Sequence, residues 1–175
     1  MEHFSKTSLI AAPAQLVFGW HEAPEVFEKL TPPWEHVRII ERSAEGIKPG
    51  TQLTLEMRLG PLRRRWIAVH TAYEPGRMFR DEQLSGPFKI WVHTHSVTPK
   101  DRNSCELTDD IQYQLPFGWI GRLVGGWLIR RKLNRLFDYR HRVTKQACEH
   151  QVDFPITKNR SGNLHLLEAR RRIGN

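Results

Sequence analysis

Six successive segments between residues 36 and 115 alternate apolar and polar residues, and this run limits what the chain can fold into. They span 36–44, 51–59, 64–74, 78–84, 88–98 and 104–115. Alternation with a period of two marks strands that are half-buried on a sheet. Short turn-like pieces separate them, IKPG, LGPL, EPGR, SGP and KDRN, so the strands read as antiparallel hairpins. Residues 2–10 read as a further strand ahead of this run. Two short helices follow it: AQLVFGWHEA, with Pro13 in its first turn, and PEVFEKL from Pro24. Thr31-Pro32-Pro33 ends the second, because proline disfavours helix at and before itself. Pro116 closes the last strand, and a long helix is expected over 119–149, where Leu133, Leu136, Phe137, Val143 and Ala147 keep a spacing of three to four. The remainder, 151–175, is polar, with a short helix expected at 164–172.

Strand, two short helices, six strands and a long helix imply an α+β arrangement. A curved antiparallel sheet wrapped around the long C-terminal helix buries both apolar faces, and leaves a cavity between sheet and helix. The length suits one domain, read as 1–150 with a polar basic tail at 151–175. Cys105 and Cys148 are the only cysteines; they make neither a disulfide framework nor a zinc pattern, and suit a reducing, cytoplasmic setting. No secretion signal opens the chain. The most apolar stretch, 117–129, is interrupted by Arg122 and falls short of the roughly 20 residues a bilayer requires. Trp119, Ile120, Leu123, Trp127 and Leu128, beside Arg122, Arg130, Arg131 and Lys132, would allow transient contact with a membrane surface. Trp34, after its two prolines, reads as a plug beneath the short helices.

The net charge of +8 favours anionic surroundings. Its arginine runs, 63–65, 130–132 and 170–172, fall in different elements and read as solvated faces, so nucleic acid is not the expected partner. Docking on RNA or a ribosome stays as an alternative. Nothing in the sequence fixes an oligomeric state.

The chemistry concentrates in WVHTH at 91–95. Successive strand residues face opposite ways, so Trp91, His93, His95 and Val97 share one face. In the strand at 64–74, Trp66, Ala68, His70 and Ala72 share a face, against Ile67, Val69, Thr71 and Tyr73. In the last strand Ile111, Tyr113 and Leu115 oppose Asp110, Gln112 and Gln114. Three readings compete for the Trp/His set. As a cavity wall, indoles stack on flat apolar ligands and imidazoles hydrogen-bond a carbonyl or hydroxyl. As an outer face, the same residues are surface or interface. As a metal site, His-x-His presents two imidazoles and His70 could add a third, but no carboxylate falls at a familiar ligand spacing; Asp81 and Asp110 would have to arrive from other strands. No metal or cofactor is therefore expected. There is no GxSxG motif and no phosphate-cradling glycine loop.

The stretches PAQLVFGWHEAPEVFEKLTPPWE, WIAVHTAYEPGRMFRDEQLSGPFKIWVHTH and LTDDIQYQLPFGWIG resemble the SRPBCC (START/Bet v 1-like) superfamily. More narrowly, they resemble a bacterial subfamily related to polyketide cyclase/dehydrase and coenzyme-Q-binding proteins. The resemblance covers about residues 3–148 and implies a helix-grip fold. It implies binding of a hydrophobic small molecule (lipid, isoprenoid quinone or polyaromatic); on the cavity-wall reading of the strand faces, Trp66, His70, Asp81, Trp91, His93, His95 and Tyr113 are the expected ligand-binding residues. The alternative is a cyclase or dehydratase with His93 or His95 as general acid/base, oriented by Asp81 or Asp110. Whether the chain is an enzyme stays open here.

Overall fold

The computed structural model describes residues 1–59, 62–116 and 118–150, with two short pairs at 157–158 and 164–165. β1 (Glu2–Ile10) leads into α1 (Ala14–Glu22) and α2 (Val26–Lys29). Six strands follow: β2 (Val37–Arg42), β3 (Gln52–Leu59), β4 (Leu62–Glu74), β5 (Met78–Ser85), β6 (Ile90–Pro99) and β7 (Cys105–Gln114). Then comes α3 (Gly118–Glu149). The seven strands form one sheet in the order β1-β7-β6-β5-β4-β3-β2, every pair antiparallel. Consecutive hairpins build all of it except β1, which returns to pair with the last strand, Ile10 opposite Cys105 and Glu2 opposite Tyr113.

The helix signals act where expected. Pro13 sits at the N-cap, where its missing N–H costs nothing while its carbonyl accepts from Leu16 and Val17, and α1 stops at Ala23, the residue before Pro24. The second helix is shorter than its sequence pattern: α2 is one turn, tied off where Thr31 Oγ1 donates to Phe27 O at 2.8 Å. Trp34 is not a plug beneath these helices. Its ring packs on α3, 5.3 Å from Tyr139, with the Arg135 guanidinium 4.2 Å above it. The short helix expected at 164–172 is not what the described part shows: Leu164–His165 form β9, a two-residue strand paired with β8 (Thr157–Lys158), and 166–172 lie outside the described residues. Among the described residues no helix is long and apolar enough to cross a membrane.

Two apolar clusters fill the space between sheet and helices. One gathers Ile10, Val17, Phe18, Trp20, Phe79, Val97, Leu107 and Cys148 under α1. The other gathers Phe4, Trp91, Ile111, Tyr113, Leu133 and Phe137 under α3, with Trp66 and Phe88 against it. Burying side chains of this size contributes about 1.5–3 kcal/mol each, so these clusters drive the sheet to curl onto the helices. They also settle which way the Trp/His face points. Trp91 and His93 are buried, and the His93 ring lies 5.3 Å from Phe137 of α3. That face is the inner one.

Two bulges modify the plain alternation in β4 and β5. Pairing jumps from His70–Asp81 to Ala72–Arg80, and from Ile67–Ser85 to Ala68–Gln83. The extra residue at Thr71 reverses the parity beyond it, as bulges do. Tyr73, expected on the face opposite His70, therefore also turns inward, 5.9 Å from Phe18, and its hydroxyl donates to Glu22 Oε1 at 2.6 Å.

Candidate functional site

Register assembles the site from three neighbouring strands. Asp81 of β5 stands opposite His93 of β6, and His95 stands opposite Asp109 of β7. Directly opposed residues on one sheet face lie about 4.5–5.5 Å apart, close enough for each carboxylate to meet both imidazoles. Asp109 Oδ1 accepts from His93 Nε2 at 2.8 Å and meets His95 Nδ1 at 2.7 Å. Asp81 Oδ2 lies 3.4 Å from His93 Nδ1 and 3.4 Å from His95 Nε2. α3 closes the cluster from the other side, where His141 Nε2 donates to Asp109 Oδ2 at 2.7 Å. The second nitrogen of His141 meets Ser8 Oγ of β1 at 2.8 Å.

Aromatic rings hold these groups in place. His95 stacks on Phe79 with centroids 4.1 Å apart and planes 15° from parallel. His21 of α1 approaches within 6.4 Å of His95. The polar cluster is thus a belt between the two apolar clusters: Phe79 belongs to one, Trp91 and Phe137 to the other.

Burial and charge pull against each other here. Burial alone raises a carboxyl, yet the imidazoles around Asp81 and Asp109 outweigh it and hold both carboxyls well below the usual range. Burial lowers an imidazole, yet the Asp81 charge and the bonds to Asp109 carry His93 up to about 9. His21, with no carboxylate in contact, is brought down to about 4 by burial. His70 is also lowered by burial, with Asp81 partly opposing.

All seven residues singled out from the sequence lie in the strands that carry this inner face. Trp66, Trp91 and Tyr113 gather with Phe88 at one end: Trp66 meets Trp91 edge-on at 5.0 Å, and Trp91 lies 6.3 Å from Tyr113. Asp81, His93 and His95 form the polar belt, and His70 pairs across from Asp81 with its ring 6.0 Å from Phe79. Among the described residues, two buried nitrogens, Trp66 Nε1 and His70 Nδ1, have no hydrogen-bond partner. Asp110 corrects an expectation: it points outward and bonds His3 at 2.7 Å, so the carboxylate beside the histidines is Asp109. Asp109 and His141 were not foreseen. Both had a signal: Asp109 shares parity with Ile111 and Tyr113, and His141 continues the buried stripe of Leu133 and Phe137 at a spacing of four.

Two grooves, of about 440 and 460 Å³, open beside Trp34, away from the Trp/His face. Trp127 and Leu128 on α3 are exposed, 70% and 58%; the side chains of Trp119, Ile120, Arg122 and Leu123 lie outside the described residues. Arg63–Arg65 are exposed on β4 and Arg130–Lys132 on α3, as separate patches. The run at 170–172 lies outside the described residues.

A seven-stranded antiparallel sheet gripping one long C-terminal helix, with a mixed aromatic and polar inner face, defines a START/Bet v 1-like protein of the SRPBCC type. Residues 10–137 match the family described as polyketide cyclase / dehydrase and lipid transport. The chain belongs to that family, whose description supports hydrophobic-ligand binding in the general sense. No curated protein sequence matches it. Among solved structures it is similar to norcoclaurine synthase from Thalictrum flavum in complex with dopamine and hydroxybenzaldehyde: 16% identity, TM-score 0.64, 85% of this chain and 87% of that one. A START superfamily protein from Mycobacterium smegmatis is similar at 17% identity and TM-score 0.61, over 85% and 97% of the two chains. A nucleoside-diphosphate sugar epimerase from Corynebacterium glutamicum is similar at 24% identity and TM-score 0.62, over 82% of this chain but 28% of that one. At these identities the likenesses establish the fold alone.

Proposed function

We propose that residues 1–150 form a unit that binds a hydrophobic, planar or isoprenoid small molecule on the inner face, against Trp66, Trp91 and Tyr113. The observation that carries this reading is the pair of orphaned nitrogens on that face, Trp66 Nε1 and His70 Nδ1. A buried polar group without a partner costs about 1–3 kcal/mol, so a ligand bearing a carbonyl or hydroxyl would recover that cost while stacking on the indoles. Family membership points the same way. The exposed Trp127 and Leu128, flanked by Arg130 and Arg131, would let such a carrier touch an anionic bilayer to load. Native mass spectrometry of the purified chain, with thermal shifts in lipids, quinones and polyaromatics, tests it. A co-purified ligand or a clear shift is expected; repeated absence of both refutes the reading.

A second reading, cyclase or dehydratase chemistry, is favoured by one observation: His93 and His95 face inward and share Asp109. It predicts that His95→Ala abolishes turnover of a polyketide-type ketone while ligand binding survives. Binding and turnover lost together would count against it.

A further inference from the structure

With its imidazoles neutral, the polar belt has more acceptors than donors. A carboxylate oxygen only accepts, so both contacts to Asp109 Oδ1 use ring N–H groups: Nε2–H of His93 and Nδ1–H of His95. In a neutral imidazole the other nitrogen is then a lone pair. Those two lone-pair nitrogens, His93 Nδ1 and His95 Nε2, both face one oxygen, Asp81 Oδ2. Left neutral, these three acceptors repel in a buried place; the pull toward positive charge there raises His93 against its burial, and a cation would supply that charge as protons do. We infer that Asp81, His93 and His95 hold one zinc-type divalent cation, His93 through Nδ1 and His95 through Nε2, with Asp109 orienting both rings from behind.

Distance and support both suit an ion at this place. The two 3.4 Å separations exceed the usual N–H···O range of about 2.7–3.2 Å. Ligand bonds of about 2.0–2.1 Å give a tetrahedral edge of about 3.3 Å and an octahedral edge nearer 2.9 Å, so the spacing fits a tetrahedral ion. The three ligand atoms lie within 4.8 Å of one another. As for charge, Asp81 and Asp109 bring two negative charges into the interior. The Arg140 guanidinium of α3 offsets part of that charge, and a cation held between the rings would add to that offset.

The support is of the kind metal sites use. A ligating histidine normally donates its other N–H to a carboxylate, which fixes tautomer and ring orientation. Asp109 takes both N–H groups, and is itself anchored by His141. Phe79 and Phe137 fix the ring planes. Two imidazoles and a carboxylate suit zinc, and three protein ligands leave a fourth position for water or a bound molecule's oxygen. Spacing along the chain offered no such carboxylate; the β5–β6 register supplies Asp81. This inference stands apart from the hydrophobic-ligand reading, and either can fail alone.

The test uses the full chain, stripped with a chelator and titrated with zinc chloride or cobalt chloride. One ion per chain is expected, with the visible absorption of tetrahedral cobalt. Nitrogen NMR should show zinc-dependent shifts at His93 Nδ1 and His95 Nε2. Asp81→Asn and His95→Ala should abolish binding, and Asp109→Asn should weaken it about 10–100-fold. Circular dichroism establishes which variants fold; if none does, the nitrogen assignments in the wild-type chain decide. The inference is overturned if folded wild type takes up no stoichiometric ion. It is equally overturned if the shifts fall on surface histidines such as His3 and His36, or if uptake survives unchanged in folded Asp81→Asn and His95→Ala.

Discussion

Asp109→Asn and Asp110→Asn are adjacent, isosteric substitutions on one strand, and they should differ sharply. Asp109 is 3% exposed and takes N–H groups from His93, His95 and His141. Hydrogen bonds to charged groups contribute about 1.5–3 kcal/mol each, and removing one partner of a buried ion pair costs about 3–5 kcal/mol. Asparagine keeps one carbonyl acceptor, so part of the network survives, and a loss of about 3 kcal/mol is expected. Asp110 pairs with His3 outside the sheet, the side chains 38% and 59% exposed, and solvent screening limits its loss to below about 1 kcal/mol. Urea unfolding of chelator-treated protein at neutral pH reads both. For a domain of this size, about 2–4 °C per kcal/mol places the Asp109 variant about 6–12 °C lower in melting temperature. Equal losses, or a larger loss for Asp110→Asn, would refute the reasoning. Register ties Asp109 to His95, so such a result would turn the whole Trp/His face outward.

Trp91→Ala should cost about 3–5 kcal/mol in the same assay, since it empties the centre of the Trp66, Phe88 and Tyr113 contacts. Gly76 turns between Glu74 and Arg77 at φ +73° with nothing within 4 Å of an added Cβ. Gly76→Ala should therefore lose about 1–2 kcal/mol from backbone strain alone; an unchanged stability would contradict that conformation. Burial pushes the Cys105 thiol up to about 11 and the Cys148 thiol up to about 12. A thiol reagent at mildly alkaline pH should modify neither until the chain is denatured, and rapid labelling of folded protein would show that these side chains are reached by solvent.

The run of alternating segments and the long helix were legible because each follows a repeating pattern that turn residues bound. The inner face was legible as a set, since parity alone groups Trp91, His93 and His95. Tyr73 was misplaced because a single extra residue, Thr71, reverses parity, and nothing local marks where a bulge falls. Asp109 and Asp110 differ only by that same parity, and assigning between them required the register with His95. His141 escaped because a search for apolar periodicity passes over a polar residue, although Leu133, Phe137, His141, Thr144 and Cys148 form one buried stripe. The partnership of Asp81 with two histidines has no trace along the chain: it exists only once β5 and β6 are paired.

The pairing of β1 with β7 has a consequence for how the molecule comes into being. β1 has its hydrogen-bonding edge matched to a strand made roughly 100 residues later. Until then Phe4 and Ile10 have no sheet to join, and β1 is an open edge of the kind that other chains can adopt. Ser8, Asp109 and His141 meet only when β1, β7 and α3 have all been made. Closing that long loop is the slow event to expect in folding, and the span before it is when a growing chain is most exposed to misassembly.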